Sequence, residues 1–255
     1  MSIGRRTFLG AAGLSALAIV GRSSLAELVT GAEPAREGGA RASTRWAMAI
    51  DLRKCLEERG CTDCIAACDR AHNVPHFPEA AHEVRWIWNE PFERVFPEQE
   101  SRYTEEALRG RPVPVLCNHC DNPPCVRVCP TQATWKREDG IVMMDWHRCI
   151  GCRYCVAACP YGSRSFNWLD PRAHIAALNP DFPTRTKGVV EKCNLCEERL
   201  AKGLRPACVE ACPEKALAFG NLEDPASEVR ALLRTRHALR RRPALGTLPQ
   251  IYYLV

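Results

Sequence analysis

Cys149-Ile150-Gly151-Cys152-Arg153-Tyr154-Cys155-Val156-Ala157-Ala158-Cys159-Pro160 is the stretch whose spacing decides the fold. It reads C-x2-C-x2-C-x3-C-P. Three cysteines at two-residue gaps wrap a tight loop around one cubane [4Fe–4S] cluster, each thiolate reaching a different iron. The fourth stands a helical turn beyond the third, faces away from that cluster and ligates a neighbouring one. The proline after it ends the turn and sends the chain into an extended segment.

Working outward, the 16 cysteines fall into four groups of four with none left over. Cys55, Cys61, Cys64 and Cys68 form the first group, and Cys117, Cys120, Cys125 and Cys129 the second. Cys149, Cys152, Cys155 and Cys159 are the third, and Cys193, Cys196, Cys208 and Cys212 the fourth. Pro130, Pro160 and Pro213 follow the last cysteines of groups two to four; group one has Asp69 there. The groups alternate in kind. Ile50-Asp51-Leu52-Arg53-Lys54-Cys55 matches Met144-Asp145-Trp146-His147-Arg148-Cys149, and Cys117-Asn118-His119-Cys120 matches Cys193-Asn194-Leu195-Cys196. The chain reads as a duplicated two-group unit, with about three extra residues near 57–59 and a longer gap between Cys196 and Cys208.

Other cysteine chemistries fit worse. Cysteines two residues apart are poor disulfide partners, and disulfides would not explain the repeated order. Structural zinc takes two well-separated C-x2-4-C pairs, and no C-x-x-C-H exists for a c-type haem. Four 4Fe–4S clusters are the expected cofactors, with all 16 cysteines as metal ligands.

The N-terminus reads as an address. Arg5-Arg6-Thr7-Phe8-Leu9, an apolar run from Ala11 to Val20 and small residues through Ala26 describe a signal peptide over residues 1–26. The paired arginines specify the twin-arginine route, which carries folded proteins, so occupied thiolates escape oxidation outside. Export to the periplasm is expected. The formal charge is +5, and removing residues 1–26 takes away Arg5, Arg6 and Arg22 but no acid, leaving +2. Each oxidised cluster with its four thiolates adds −2, bringing the mature protein to about −6. That removes the basic balance that nucleic-acid binding would need. With 46% hydrophobic and 25% charged residues, the chain is neither disordered nor, beyond residue 26, able to span a membrane.

The expected fold class is α+β, tandem ferredoxin-like dicluster domains with inserted loops and a C-terminal helix. A linker covers 27–44 and the four-cluster domain 45–222, with an insertion at 69–116 carrying Trp86, Trp88, Phe92, Phe96 and Tyr103. A helix and tail fill 223–255. Each cysteine loop is expected to lead through a short helix into a strand. Asp139-Gly140 marks a hairpin between 134–137 and 141–144. A second linker spans 160–190, and Asp224-Pro225 is expected to open a helix with Val229, Leu232 and Leu233 on one face. His119 reads either as a tuner of its cluster or as a surface histidine. Lys54, Arg148 and Lys192, before three first cysteines, read as cluster-tuning cations or, more simply, as solvated. Arg234, Arg236 and Arg240–Arg242 read as a solvated helix end or a seat for an acidic partner. No substrate pocket or catalytic group stands out.

The segment from Cys117 through Phe166, with Asn118-His119-Cys120-Asp121-Asn122-Pro123-Pro124-Cys125, resembles the four-cluster ferredoxin-like subunits of membrane-linked respiratory complexes. Those serve molybdopterin enzymes such as dimethyl sulfoxide reductase and complexes with an NrfD-type membrane protein. Cys61-Thr62-Asp63-Cys64, Ala71-His72-Asn73-Val74-Pro75, Trp86-Ile87-Trp88 and Tyr252-Tyr253-Leu254-Val255 resemble, more narrowly, the DsrO family of exported subunits of the DsrMKJOP complex of dissimilatory sulfur metabolism. The resemblance implies a one-electron relay without catalysis of its own. It also implies an NrfD-like membrane subunit (DsrP) and a multihaem cytochrome c (DsrJ) as partners, with no nucleic acid and no small-molecule substrate. It implies, too, that group one pairs with four and two with three. Cys55, Cys61 and Cys64 would then share a cluster with Cys212, and Cys193, Cys196 and Cys208 one with Cys68. Cys117, Cys120 and Cys125 would share with Cys159, and Cys149, Cys152 and Cys155 with Cys129. The alternatives are the electron-transfer subunit of an exported molybdopterin reductase and a structural cysteine-rich exported protein.

Overall fold

Residues 44–57, 60–99, 101–104, 106 and 108–255 are described by a computed structural model of the chain. The expected signal peptide and all of the linker except residue 44 lie outside the described residues. In chain order the strands are β1 (Trp46–Asp51), β2 (Ile87–Pro91), β3 (Pro112–Leu116), β4 (Thr134–Lys136), β5 (Val142–Met144), β6 (Ser165–Phe166), β7 (Val190–Glu191), β8 (Leu217–Asn221), β9 (Ala238–Leu239) and β10 (Ile251–Leu254). Four of them make a mixed sheet in the order β8-β1-β10-β9, with β1 antiparallel to β8 and parallel to β10. The others pair as antiparallel ribbons, β2 with β3, β4 with β5 and β6 with β7. Helices and strands together give the expected α+β ferredoxin-like class.

The central sheet follows from the two-residue period of its side chains. Met48, Ile50, Leu217, Ile251 and Tyr253 face the main core, which also holds Cys64, Cys68, Cys193 and Cys208. Ala47, Ala49, Ala218, Tyr252 and Leu254 face the other way, onto Val229 with Leu232 and Leu233. Small residues on that side let the C-terminal helix come close. At Gly220 a β-carbon would stand 2.3 Å from Ser227 Oγ. The helix itself runs Glu228–Thr235, later than Asp224-Pro225 predicts. Asp224 instead closes a turn, its carboxylate accepting from the Ala226 N–H (2.9 Å) and its carbonyl from the Ser227 N–H (3.1 Å).

Asp139-Gly140 does turn the β4–β5 hairpin, Gly140 at φ +85° with the Arg45 guanidinium lying where a β-carbon would be. Short helices lead into β4, β6 and β8 after groups two, three and four. Group one departs from this plan. With Asp69 in place of proline, its helix runs on as Asp63–His72 and stops at Asn73, whose left-handed backbone (φ 53°) caps it. The next strand, β2, comes only at Ile87. The 69–116 insertion supplies Trp86, Trp88, Phe92, Phe96, Val113 and Val115 to the main core, while Tyr103 is exposed. Of the 160–190 segment, Asn179 and Arg185 are tied to the group-one helix. Asn73 Nδ2 donates to the carbonyls of Asn179 (2.9 Å) and Phe182 (2.6 Å), and Arg185 to those of His72 and Asn73.

Candidate metal centres

One backbone rule runs through all four cysteine groups. Gly60, His119, Gly151 and Leu195, each just before the second cysteine of its group, have positive φ (79°, 41°, 70° and 61°). A left-handed residue there folds the loop back so that neighbouring thiols converge. A second left-handed residue follows the Cys-Pro pairs at Gln132, Gly162 and Lys215 (φ 54°, 65° and 48°). It turns each chain from its last cysteine toward the following strand.

These turns gather the thiols across groups. Cys55, Cys61, Cys64 and Cys212 line one cavity, closed by Asn89 and Pro114 of the β2–β3 ribbon. Cys117, Cys120, Cys125 and Cys159 line another, with Asn118, Tyr161 and Arg164. Cys68 is buried facing Cys193, Cys196 and Cys208. Cys155 faces Cys149 and Cys129, and Cys152 follows Gly151 in the same loop. We call these the first (55/61/64/212), third (117/120/125/159), second (68/193/196/208) and fourth (129/149/152/155) sets. They form a succession. Cys64 of the first set is near Cys208 of the second, Cys193 near Cys117 of the third, and Cys125 near Cys155 of the fourth.

The electrostatics fit a metal core. Burial, then the neighbouring thiolates, pushes Cys55 up to about 11 and Cys64 up to about 12. Burial with Cys117 does the same to Cys120 and Cys193, each up to about 12. Four such thiols cannot ionise together unless a cation joins them, and iron deprotonates coordinating thiols outright. Backbone N–H groups already point at sulfur: Leu195 at Cys193 Sγ (3.3 Å), Ala207 at Cys196 Sγ (3.4 Å) and Ala216 at Cys212 Sγ (3.2 Å). Cys129 is lowered instead, since hydrogen bonds from the Thr131 hydroxyl and the N–H groups of residues 131, 133 and 134 outweigh its burial.

Three expectations change. Lys54 and Arg148 are exposed, but Lys192 is 1% exposed, its ammonium donating to the carbonyls of Val142 and Cys193 (2.8 Å to the latter). His119 is not a surface residue. It is buried, its Nδ1 accepts from the Val142 N–H (3.1 Å), and burial together with Lys192, Arg45 and Arg164 holds its pKa well down. Of the five arginines, Arg234 is exposed in the last turn of the C-terminal helix, as the solvated reading expects, but the others are engaged, Arg242 donating to the Pro160 carbonyl (2.9 Å). Arg236 pairs with Asp51 (3.2 Å), Arg240 lies over the Tyr252 ring, and Arg241 is buried against Tyr161.

Sequence reading missed Arg164 altogether. It is 4% exposed and donates to Cys125 Sγ (3.2 Å) and Thr134 Oγ1 (2.8 Å). Its only herald was its place shortly after Cys159-Pro160, directly before a strand. His72 and Glu198 were missed too. His72 Nε2 meets Glu198 Oε1 at 2.9 Å, beside Cys68 and Cys196.

Paired four-cysteine sets in a ferredoxin-like fold define an iron–sulfur electron carrier. A 4Fe–4S dicluster domain model matches residues 110–175 and 178–222. The "Hdr-like menaquinol oxidoreductase iron-sulfur subunit 1" of Archaeoglobus fulgidus is 40% identical over 98% of this chain and 97% of its own. The "Menaquinone reductase, iron-sulfur cluster-binding subunit" of Nitratidesulfovibrio vulgaris is 38% identical, covering 82% of this chain and 88% of that protein. A putative dimethyl sulfoxide reductase iron–sulfur subunit of Halobacterium salinarum is 37% identical over 83% of this chain and 79% of its own. The chain belongs to this family of four-cluster iron–sulfur electron-transfer subunits, and it carries four 4Fe–4S clusters.

Proposed function

We propose that the protein is a periplasmic relay, exported by the twin-arginine route, that passes single electrons along four clusters in a membrane-associated complex of dissimilatory sulfur metabolism of the DsrMKJOP kind. The observation that carries the relay is the succession of four-cysteine sets, in which each set abuts the next. Each bound cluster supplies a site that takes up one electron without breaking a bond. The chain's part is to space these sites and to set the charge and exposure around them. Each set holds one cluster, with Cys212, Cys68, Cys159 and Cys129 as the ligands lent from another group. The paired Arg5-Arg6 before Phe8-Leu9 and the apolar run from Ala11 to Val20 support the twin-arginine export route. An NrfD-like membrane subunit resembling DsrP and a multihaem cytochrome resembling DsrJ are the proposed partners. Among the described residues no helix is long and apolar enough to cross a membrane.

Anaerobically purified protein should contain about sixteen irons and sixteen sulfides per chain. Iron near zero, or zinc in its place, would sink the relay and favour a structural cysteine-rich protein. Cys212→Ser should remove or alter one electron paramagnetic resonance signal and leave three. Loss of the signal that belongs to Cys193 instead would overturn the pairing. The second reading, a subunit of an exported molybdopterin reductase, is favoured by the likeness to the dimethyl sulfoxide reductase subunit. Co-purification decides between them: a molybdopterin protein in the native complex, rather than a multihaem cytochrome, would establish the second.

A further inference from the structure

Two buried cations stand between the cysteine sets without a carboxylate partner. Arg164 reaches Cys125 Sγ of the third set at 3.2 Å and also faces Cys117 and, in the fourth set, Cys155. Lys192 faces Cys117 and Cys125 of the third set and Cys193 of the second. Among the described residues neither comes within ion-pair distance of an Asp or Glu, although buried charges are ordinarily paired. The counter-charge these cations need is what a cluster with its four thiolates supplies. Asn118 adds to the third set an amide that is 1% exposed, lines the same cavity and has neither its nitrogen nor its oxygen hydrogen-bonded. The second set, by contrast, lies beside the Glu198 carboxylate.

We propose that Arg164 and Lys192 act as fixed-charge tuning residues that make the third set, Cys117, Cys120, Cys125 and Cys159, the most easily reduced of the four. The proposal rests on the four-cluster reading above. Adding one electron there makes the site more negative by one unit, with no bond broken and no proton required. Both cations favour that added charge, and in a dry interior Coulomb energies are several times those in water. Arg164 also favours an electron on the fourth set and Lys192 one on the second, but only the third lies beside both. The first electron to enter the chain therefore rests in its interior rather than at an end.

The test is a potentiometric titration of the iron-loaded protein with dithionite, read by electron paramagnetic resonance. In Arg164→Gln two midpoints should fall, and in Lys192→Gln two should fall, with one signal common to both pairs. That common signal should be the one reduced first in the unaltered protein and the one changed by Cys120→Ser. Each shift should reach at least a tenfold loss in the reduction equilibrium, about 59 mV for one electron. Arg164→Lys and Lys192→Arg keep the charge and should keep the potentials, which a merely structural role would not require. No shared signal, or an equal shift of all four, overturns the tuning while leaving the four-cluster reading intact. Fewer than four centres in the unaltered protein overturns that reading itself. If the Gln variants fail to load iron, the unaltered protein decides. Its first-reduced signal should be the one changed by Cys120→Ser and should broaden in two later steps as the neighbour on each side fills; a single broadening, or no change of that signal in Cys120→Ser, overturns the proposal.

Discussion

At Gly151 the left-handed backbone of the third cysteine loop meets a second constraint, because a β-carbon there would lie 2.4 Å from the Gly188 carbonyl oxygen. That contact is with backbone and cannot swing aside. Gly151→Ala should cost about 1–3 kcal/mol in strain and loosen the fourth set, read as a lower unfolding temperature and early loss of one cluster signal. Tyr253 offers a pH test. Burial pushes its phenol up to about 12, and its hydroxyl donates to the Pro114 carbonyl (3.3 Å). Because the folded value is raised above the ordinary value near 10, this stability is full below about pH 10 and drains away as pH rises toward 12. Tyr253→Phe should therefore cost about 1 kcal/mol at neutral pH and flatten the alkaline loss in unfolding titrations. At this scale the sequence spoke clearly about the cysteines, whose spacing is local. It left Lys192 and His119 open between tuning and solvated roles and passed over Arg164, since their burial comes from β5 and from loops distant in sequence.

Among the elements, the odd and even kinship of the cysteine groups was legible and so was the Asp139-Gly140 hairpin. Both are written in contiguous residues. The late start of the C-terminal helix was not, because Asp and Pro serve turns as readily as helix starts. Nor did any turn or period signal place Ile251–Leu254 beside β1, a partnership spanning most of the chain. The helix is held on the sheet by Val229, fully buried against Ala47, Ala49 and Ala218. Val229→Ala should lower stability in urea unfolding by about 1–3 kcal/mol while leaving the visible cluster spectrum unchanged, since that core lies on the face away from the thiols. A changed spectrum would mean the two faces are coupled.

Over the whole molecule, burial is graded along the relay. All four cysteines of the second set are buried, whereas the first and fourth sets each have three that are partly exposed. On the proposed pairing, the first and fourth sets are therefore the ones nearest the surface and the second is the one most enclosed. The 160–190 segment is locked to this core by Arg185 and Glu191, both fully buried with N···O 2.6 Å and Trp86 Nε1 donating to the same carboxylate oxygen (3.0 Å). Removing one partner leaves a bare charge inside, so Arg185→Ala should cost about 3–5 kcal/mol. Limited proteolysis should then cut near residues 175–184, where the unaltered protein resists.

The parallel pairing of β1 with β10 sets a timetable. Sheet order puts residues 251–254 between β1 and β9, so the cysteine groups, all synthesised earlier, wait for the last strand before the sheet beneath them can close. Cys55 of the first set lies in the short helix, Leu52–Glu57, that follows β1, and β1 stays unflanked on one side until then. Residues 251–254 thus join two strands, β1 and β9, that share no edge without them.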